Sequence, residues 1–266
     1  EAYVGKTANH VSPIEIGGIN SLVPLVVSAH AGLPVADGDG EGRAFPELQM
    51  TTLCGLGYSA APVCMVDERV NSLIIKGISD RWTEKLARSA TVSFGGRAYV
   101  ALYALSGSDY RKGAIPGTLS LAMKIGSSLR QGIAEKNAED ALSQSCGATE
   151  VFAGKLTDVK RYNTRGFAIG HALIEGFDSY SRQQLKVSFQ NEYLLAKVTD
   201  GSGGARTVAS TPNIISIHDE STLLPITTDQ LRYGMRCKVF FIPVNKKWSF
   251  EGAEELVGLK AFNLEG

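Results

Sequence analysis

The chain predicts an α/β domain followed by an all-β domain: a three-layer α/β segment over residues 1–148 and a β-barrel-like segment over residues 149–266. Three observations point there. In the first part short β-type runs alternate with stretches of helical periodicity, the pattern of a mostly parallel sheet with helices on its faces. In the second part short strands recur at even spacing with no long helix between them, as in a barrel or sandwich. Bulk allows both: 266 residues, 44% hydrophobic and 20% charged, can bury one large core or two ordinary ones.

Residues 14–16 read as a short strand running into Gly17-Gly18. Asn20 is placed to cap an apolar helix over 22–30, which Gly32 ends. Residues 33–36 read as a brief buried strand that delivers an acidic loop, and Pro46 fits the first turn of a helix through about Leu53. Strands are expected over 61–66, 72–77 and 97–105. Between the last two lies a helix over 80–90, with Asp80 as cap and Glu84 paired to Arg88 one turn on. Pro116-Gly117 introduces an amphipathic helix over 118–130, and 137–145 reads as another. Residues 151–161, 166–175, 184–190, 193–198, 214–218 and 237–244 read as the strands of the second part, with a turn over 201–204. The tail 251–262 reads as a short helix that packs back on one of the domains.

Composition removes some functions. The formal charge is zero and the pI is near neutrality, so there is no electrostatic footprint for nucleic acid or an anionic membrane. The most apolar stretch, 19–29, is too short to cross a bilayer and carries Asn20, Ser21 and Pro24. Cys54, Cys64, Cys146 and Cys237 are scattered, without a CxxC pair, so buried free thiols in a cytoplasmic protein are expected. No secretory signal is visible, and because the first residue is not Met the natural start is expected upstream.

The densest chemistry is the run GLPVADGDGEGRAFPELQ, residues 32–49. Asp37 and Asp39 alternate with Gly38, Gly40 and Gly42, so the backbone can turn tightly and aim both carboxylates at one point. Like charges held that close call for a cation or a donor-rich ligand. The spacing imitates the first half of a calcium-binding hand, but its twelfth position is Leu48 and Pro46 breaks the exiting helix. A solvated acidic turn remains the alternative to a site.

This loop, with EIGGINSLVPL before it, resembles the S-methyl thiohydantoin desulfurase-like family, whose members accompany hydantoinase/oxoprolinase proteins. The likeness continues through IPGTLSLAMKIG, FAGKLTDVKR, TRGFAIG, FQNEYLLA, PITTDQLRYGMRCKV and ELVGLKAF. It departs at Pro212-Asn213, where relatives tend to carry Pro-Asp, and in the tail, which lacks a proline and a glycine. The resemblance implies two domains, α/β then β-barrel, and a front segment roughly a hundred residues longer than this chain's. It implies hydrolysis of a hydantoin-type five-membered ring, replacing sulfur by oxygen with the help of a divalent metal. An accessory or binding subunit beside a hydantoinase/oxoprolinase partner, or fused to one, is the contrary reading, and a homo-oligomer stays open.

On that reading Asp37 and Asp39 are the first metal ligands, after a strand end where α/β sheets hold their ligands. His171 is a third, with zinc foremost and magnesium or manganese suited to an oxygen-rich set. The catalytic candidates are Glu47 as base, Arg43 as a fork for a ring oxygen or carboxylate, and Glu192 from the second domain. Gly17, Gly18, Asn20, Thr118, Lys155 and Asn191 are candidate substrate contacts. Each also has a plain structural role open to it: turn, cap, salt bridge or solvated charge. The site is expected in the cleft between the domains.

Overall fold

A computed structural model describes residues 1–164, 166–201 and 203–266. Arg165 of the motif TRGFAIG and Ser202 of the expected turn over 201–204 lie outside the described residues. The chain divides into two units, Glu1–Leu119 and Ser120–Gly266.

In the first unit helix α1 (Gly18–Ala31) begins four residues earlier than expected and ends, as expected, at Gly32 in the left-handed conformation. Asn20 sits in its first turn and not at its cap. The helix is apolar yet buries none of its residues. Strand β1 (Gly38–Asp39) carries the acidic loop, and α2 (Thr52–Gly55), capped by the Thr51 hydroxyl, follows it. The helix expected from Pro46 is therefore cut to one turn, because residues 46–50 are held by side chains instead. Glu84 takes the Leu48 N–H at 3.0 Å, and Arg88 donates to the Pro46 carbonyl at 2.8 Å. The run 14–16 is a bend and 33–36 is not a strand; Val35 makes only an isolated bridge to Val11.

Strands β2 (Val63–Val66) and β3 (Ser72–Ile75) precede α3 (Asp80–Ser93), whose cap is Ser79 and not Asp80. The Glu84–Arg88 pair forms at 2.5 Å. Strand β4 (Tyr99–Ala101) is shorter than expected, and α4 (Gly107–Gly113) and β5 (Ile115–Pro116) come next. The sheet β3-β2-β4 is antiparallel throughout, and β1 pairs β5 antiparallel. This corrects the expected mostly parallel sheet: β2–β3 is a hairpin, and the connection through α3 carries the chain from β3 on one edge across to β4 on the other, so that both flank β2 antiparallel. Val63, Met65 and Ala87 form the small core beneath α3.

Helix α5 (Thr118–Glu135) begins at the end of the first unit, and α6 (Ala138–Cys146) follows it. The second unit is then β6 (Thr149–Thr164), β7 (Phe167–Gly176), β8 (Gln183–Gln190), β9 (Glu192–Asp200), β10 (Ala205–Ser210), β11 (Ile214–Asp219), β12 (Pro225–Ile226) and β13 (Arg236–Ile242). They form one antiparallel sheet in the order β10-β9-β8-β7-β6-β13-β11-β12. The expected barrel is not closed among the described residues, since β10 and β12 end the sheet unpaired with each other. The sheet instead curls on itself, and Phe152, Leu156, Ile174, Leu185, Val187, Phe189 and Val239 fill the concave side. Alternation along QQLKVSFQ, with Leu185, Val187 and Phe189 inside, is what the two-residue period of a strand requires. Leu142 of α6 packs on Phe240. The tail is a short helix, α7 (Ala253–Val257), and the Thr211 hydroxyl holds its Val257 carbonyl at 2.7 Å.

Candidate functional site

The acidic loop is stitched to its surroundings by backbone. Gly40 N–H bonds the Ile14 carbonyl at 2.8 Å, Ile16 N–H the Arg43 carbonyl at 3.2 Å, and Thr52 N–H the Gly40 carbonyl at 2.7 Å. On the other side Gly117 N–H takes the Asp37 carbonyl at 2.9 Å. Gly38 is needed where β1 meets β5: a Cβ there would stand 2.8 Å from the Ile115 carbonyl oxygen. Tyr110 donates its phenol proton to Ser12 Oγ, which donates to the Gly38 carbonyl at 2.9 Å. Burial first, and the charges of Asp39 and Asp37, push that phenol up to about 12, so it stays protonated.

Within this frame the two aspartates part. Asp37 is exposed, while Asp39 is fully buried. Consecutive odd positions of an extended run should share a side, but Asp37 precedes β1 and its backbone turns toward Gly117. Asp39 Oδ1 accepts the N–H groups of Glu41 and, at 2.5 Å, Gly42. Asp39 Oδ2 and Thr118 Oγ1 are both buried, and the Thr118 hydroxyl stands beside the carboxylate. Burial raises the Asp39 carboxyl above its usual range, opposed by the nearby Thr118 hydroxyl and the two backbone donors.

Its carboxylate neighbour is Glu15, which the sequence reading passed over as part of a strand. Glu15 is 7% exposed. Desolvation pushes its acid up to about 7 against the Asn20 hydrogen bond, and the Asp39 charge adds to the rise. Asn20 Nδ2 donates to Oε1 at 2.6 Å. The contact requires Gly17, because a Cβ there would lie 2.7 Å from Ala44 Cβ and 3.2 Å from Glu15 Oε1. The signal was in the sequence: a lone acid between isoleucines, entering a glycine pair, is an acid out of water.

Arg43 is 6% exposed, packs its guanidinium 4.5 Å from the Phe45 ring centre and partly offsets the Glu15 charge. Glu41, also buried, accepts the Phe45 N–H at 2.6 Å. The first unit thus brings Gly17, Asn20, Asp39 and Arg43 around Glu15, with Thr118 beside Asp39. Gly18, exposed at φ +45°, serves the entry to α1. Glu47 accepts from the Gln49 amide and does not sit in a helix's first turn.

The other candidates belong to the second unit. Asn191 is not a strand residue but the turn between β8 and β9, at φ +58°, a conformation asparagine tolerates. Its Oδ1 takes the Ala168 N–H at 2.9 Å, and its carbonyl takes the Thr228 hydroxyl at 2.6 Å. Glu192 opens β9 and is half-buried. Lys155 is exposed on β6 between Arg236 and Glu175 in register. His171 on β7 lies opposite Lys160; burial, then Lys186 and Lys160, lowers its pKa, an environment that repels a cation. Asn213 Oδ1 accepts the Val244 N–H at 3.1 Å, a structural use.

Among the described residues no three His, Cys, Asp or Glu side chains stand together as a metal site. Asp39 and Glu15 offer two carboxylates with a threonine hydroxyl beside them, fewer donors than a resident zinc, magnesium or manganese ion takes. The donor set does not fit such an ion. All four cysteines are free, and burial raises the thiols of Cys54, Cys146 and Cys237, so none of these is an activated nucleophile; Cys64, expected inside, is exposed. No described helix is long and apolar enough to cross a membrane.

No curated protein matches the chain. A crystal structure of a protein from Chromobacterium violaceum is similar to it, with TM-score 0.77 and 22% identity over 98% of this chain and 72% of that one, a likeness of fold. Residues 1–77 match the family model described as S-Me-THD-like, N-terminal domain, and residues 78–265 the one described as S-Me-THD-like, C-terminal domain. Matched from end to end with its buried Glu15–Asp39 pair in the first of those domains, the chain belongs to the S-methyl thiohydantoin desulfurase-like family.

Proposed function

We propose that the chain is a hydrolase of hydantoin-type five-membered rings, exchanging the sulfur of an S-methyl thiohydantoin for oxygen. The observation that carries this is the burial of Glu15 beside Asp39, with Arg43 close by. A carboxyl poised near 7 is half protonated at neutral pH and can both take and return a proton, which is what the chemistry needs. Glu15 takes a proton from water as its oxygen bonds to the ring carbon that bears sulfur, and the C=N electrons move onto the ring nitrogen. The carbon–sulfur bond then breaks as that electron pair returns, and the departing methanethiolate takes the proton back from Glu15. Arg43 stabilises the negative charge that the ring acquires between the two steps.

The proton balance closes without the expected divalent ion. An accessory subunit of a hydantoinase/oxoprolinase system is the second reading. It is favoured by α1, whose Ile19, Leu22, Leu25, Val26 and Val27 are all exposed. Turnover decides between them. Purified protein is given hydantoins, thiohydantoins and S-methyl thiohydantoins, and products are identified by mass. Oxygen-for-sulfur exchange that is lost in Asp39→Asn and Glu15→Gln supports the enzyme. Intact substrates throughout leave the accessory subunit, and ring opening would replace desulfurisation by hydantoinase-type chemistry.

A further inference from the structure

The proposed activity asks Glu15 to release a proton as readily as it takes one, and burial by itself would keep the proton on. The side chain that works against burial is Asn20, whose Nδ2 donates to Glu15 Oε1 at 2.6 Å. An amide N–H donates to a charged carboxylate more strongly than to the neutral acid, so the contact favours ionisation. The chain brings the two together by turning back on itself. Glu15 enters the glycine pair, Asn20 stands in the first turn of α1, and Asn20 N–H holds the Gly17 carbonyl at 3.1 Å. Gly17 lies against the same oxygen, since a Cβ there would be 3.2 Å from Oε1.

Asn20 has no helical duty that would explain it. Asparagine is a poor residue inside a helix and a good one at its N-cap. Here the cap is Gly17, no side chain caps the helix, and the hydrogen bond that the amide makes among the described residues runs to Glu15. Resting on the hydrolase reading above, we propose that Asn20 is a positioning residue: acting through Glu15 and not on the ring, its amide holds the Glu15 carboxylate in place and stabilises its charged form. Three other groups face that carboxyl. The Asp39 charge from β1 raises its proton affinity, and the Phe45 N–H and the Arg43 guanidinium lower it, each with less effect than Asn20.

Asn20→Leu keeps the bulk of the side chain and removes the donor, and Asn20→Gln returns an amide on a longer stem. The ionisation of Glu15 is followed in the whole chain by carboxyl carbon NMR, with the Glu15 signal assigned by its loss in Glu15→Gln. Its midpoint moves up by about one pH unit in Asn20→Leu, the equivalent of one hydrogen bond to a charged group, and returns toward wild type in Asn20→Gln. In parallel, kcat/KM for an S-methyl thiohydantoin rises with pH as Glu15 ionises. In Asn20→Leu that rise sits about one pH unit higher, so the rate falls about tenfold on the acid side and recovers in alkali. An unmoved carboxyl midpoint, or a rate lowered equally at every pH, overturns the assignment. A moved midpoint in protein that turns over no hydantoin or thiohydantoin upholds the grip of Asn20 on Glu15 and removes the hydrolase reading instead.

Discussion

Replacing Glu15 by glutamine keeps the shape of the side chain and an oxygen for the Asn20 amide, and removes only the ionisation. In the folded chain burial carries the Glu15 acid from an ordinary 4.5 to about 7. Between those two values the native state keeps a proton that the unfolded chain has released. Stability must therefore fall as pH rises through that window and change no further above it. At about 1.4 kcal/mol per pH unit the fall amounts to about 3 kcal/mol. Asp39 faces the same spot and its raised carboxyl pushes the wild-type curve in the same direction, while Arg43 stays charged throughout. Both are present in the variant, so the difference between the two proteins isolates Glu15. Urea unfolding followed by tryptophan fluorescence in a Trp248→Phe background, which leaves Trp82 of the first unit as the reporter, measures that difference from pH 4 to 8. Glu15→Gln should gain about 3 kcal/mol on wild type across the range, while its turnover drops by at least about a hundredfold. Parallel stability curves would falsify the buried-acid account, whatever happened to activity.

Gly17→Ala forces a Cβ to 2.7 Å from Ala44 Cβ, and should cost about 1–3 kcal/mol while lowering turnover, as thermal unfolding and rate assays would register. An alanine variant as stable and active as wild type would remove Gly17 from the site. At the β8–β9 turn, Asn191→Ala should be less stable than Asn191→Gly by about 1 kcal/mol, because only glycine relieves the positive φ. Equal losses in chemical denaturation would mean that the Ala168 hydrogen bond is all that asparagine supplies there. Chelation with EDTA should move the melting temperature by less than about 1 °C, since a resident ion adds its binding energy to the fold. A drop of several degrees, with metal found in the dialysate, would restore the ion that the donor set does not accommodate.

Much of the secondary structure was legible because it is local. The period-two burial of β8, the Glu84–Arg88 pair in α3 and the glycine ending α1 depend on residues a few positions apart. What escaped depends on backbone that returns from far away. Strand β5 and the two residues of β1 exist only because each pairs the other across more than seventy positions, and β10 is a strand because β9 lies beside it. The helix expected from Pro46 gave way because Glu84 and Arg88, nearly forty positions on, hold that backbone more firmly than its own propensity could.

The site divides along the same line. The sequence by itself determined the family, the acidic loop and most of the residues that meet there, Asp39, Arg43, Gly17, Asn20 and Thr118 among them. Only the tertiary structure separated Asp37 from Asp39, put one in solvent and the other out of it, and buried Glu15 beside Asp39 with its acid raised. The physical reason is that a carboxyl's chemistry is set by the water and charge around it. Those are supplied by segments that the chain order keeps far apart.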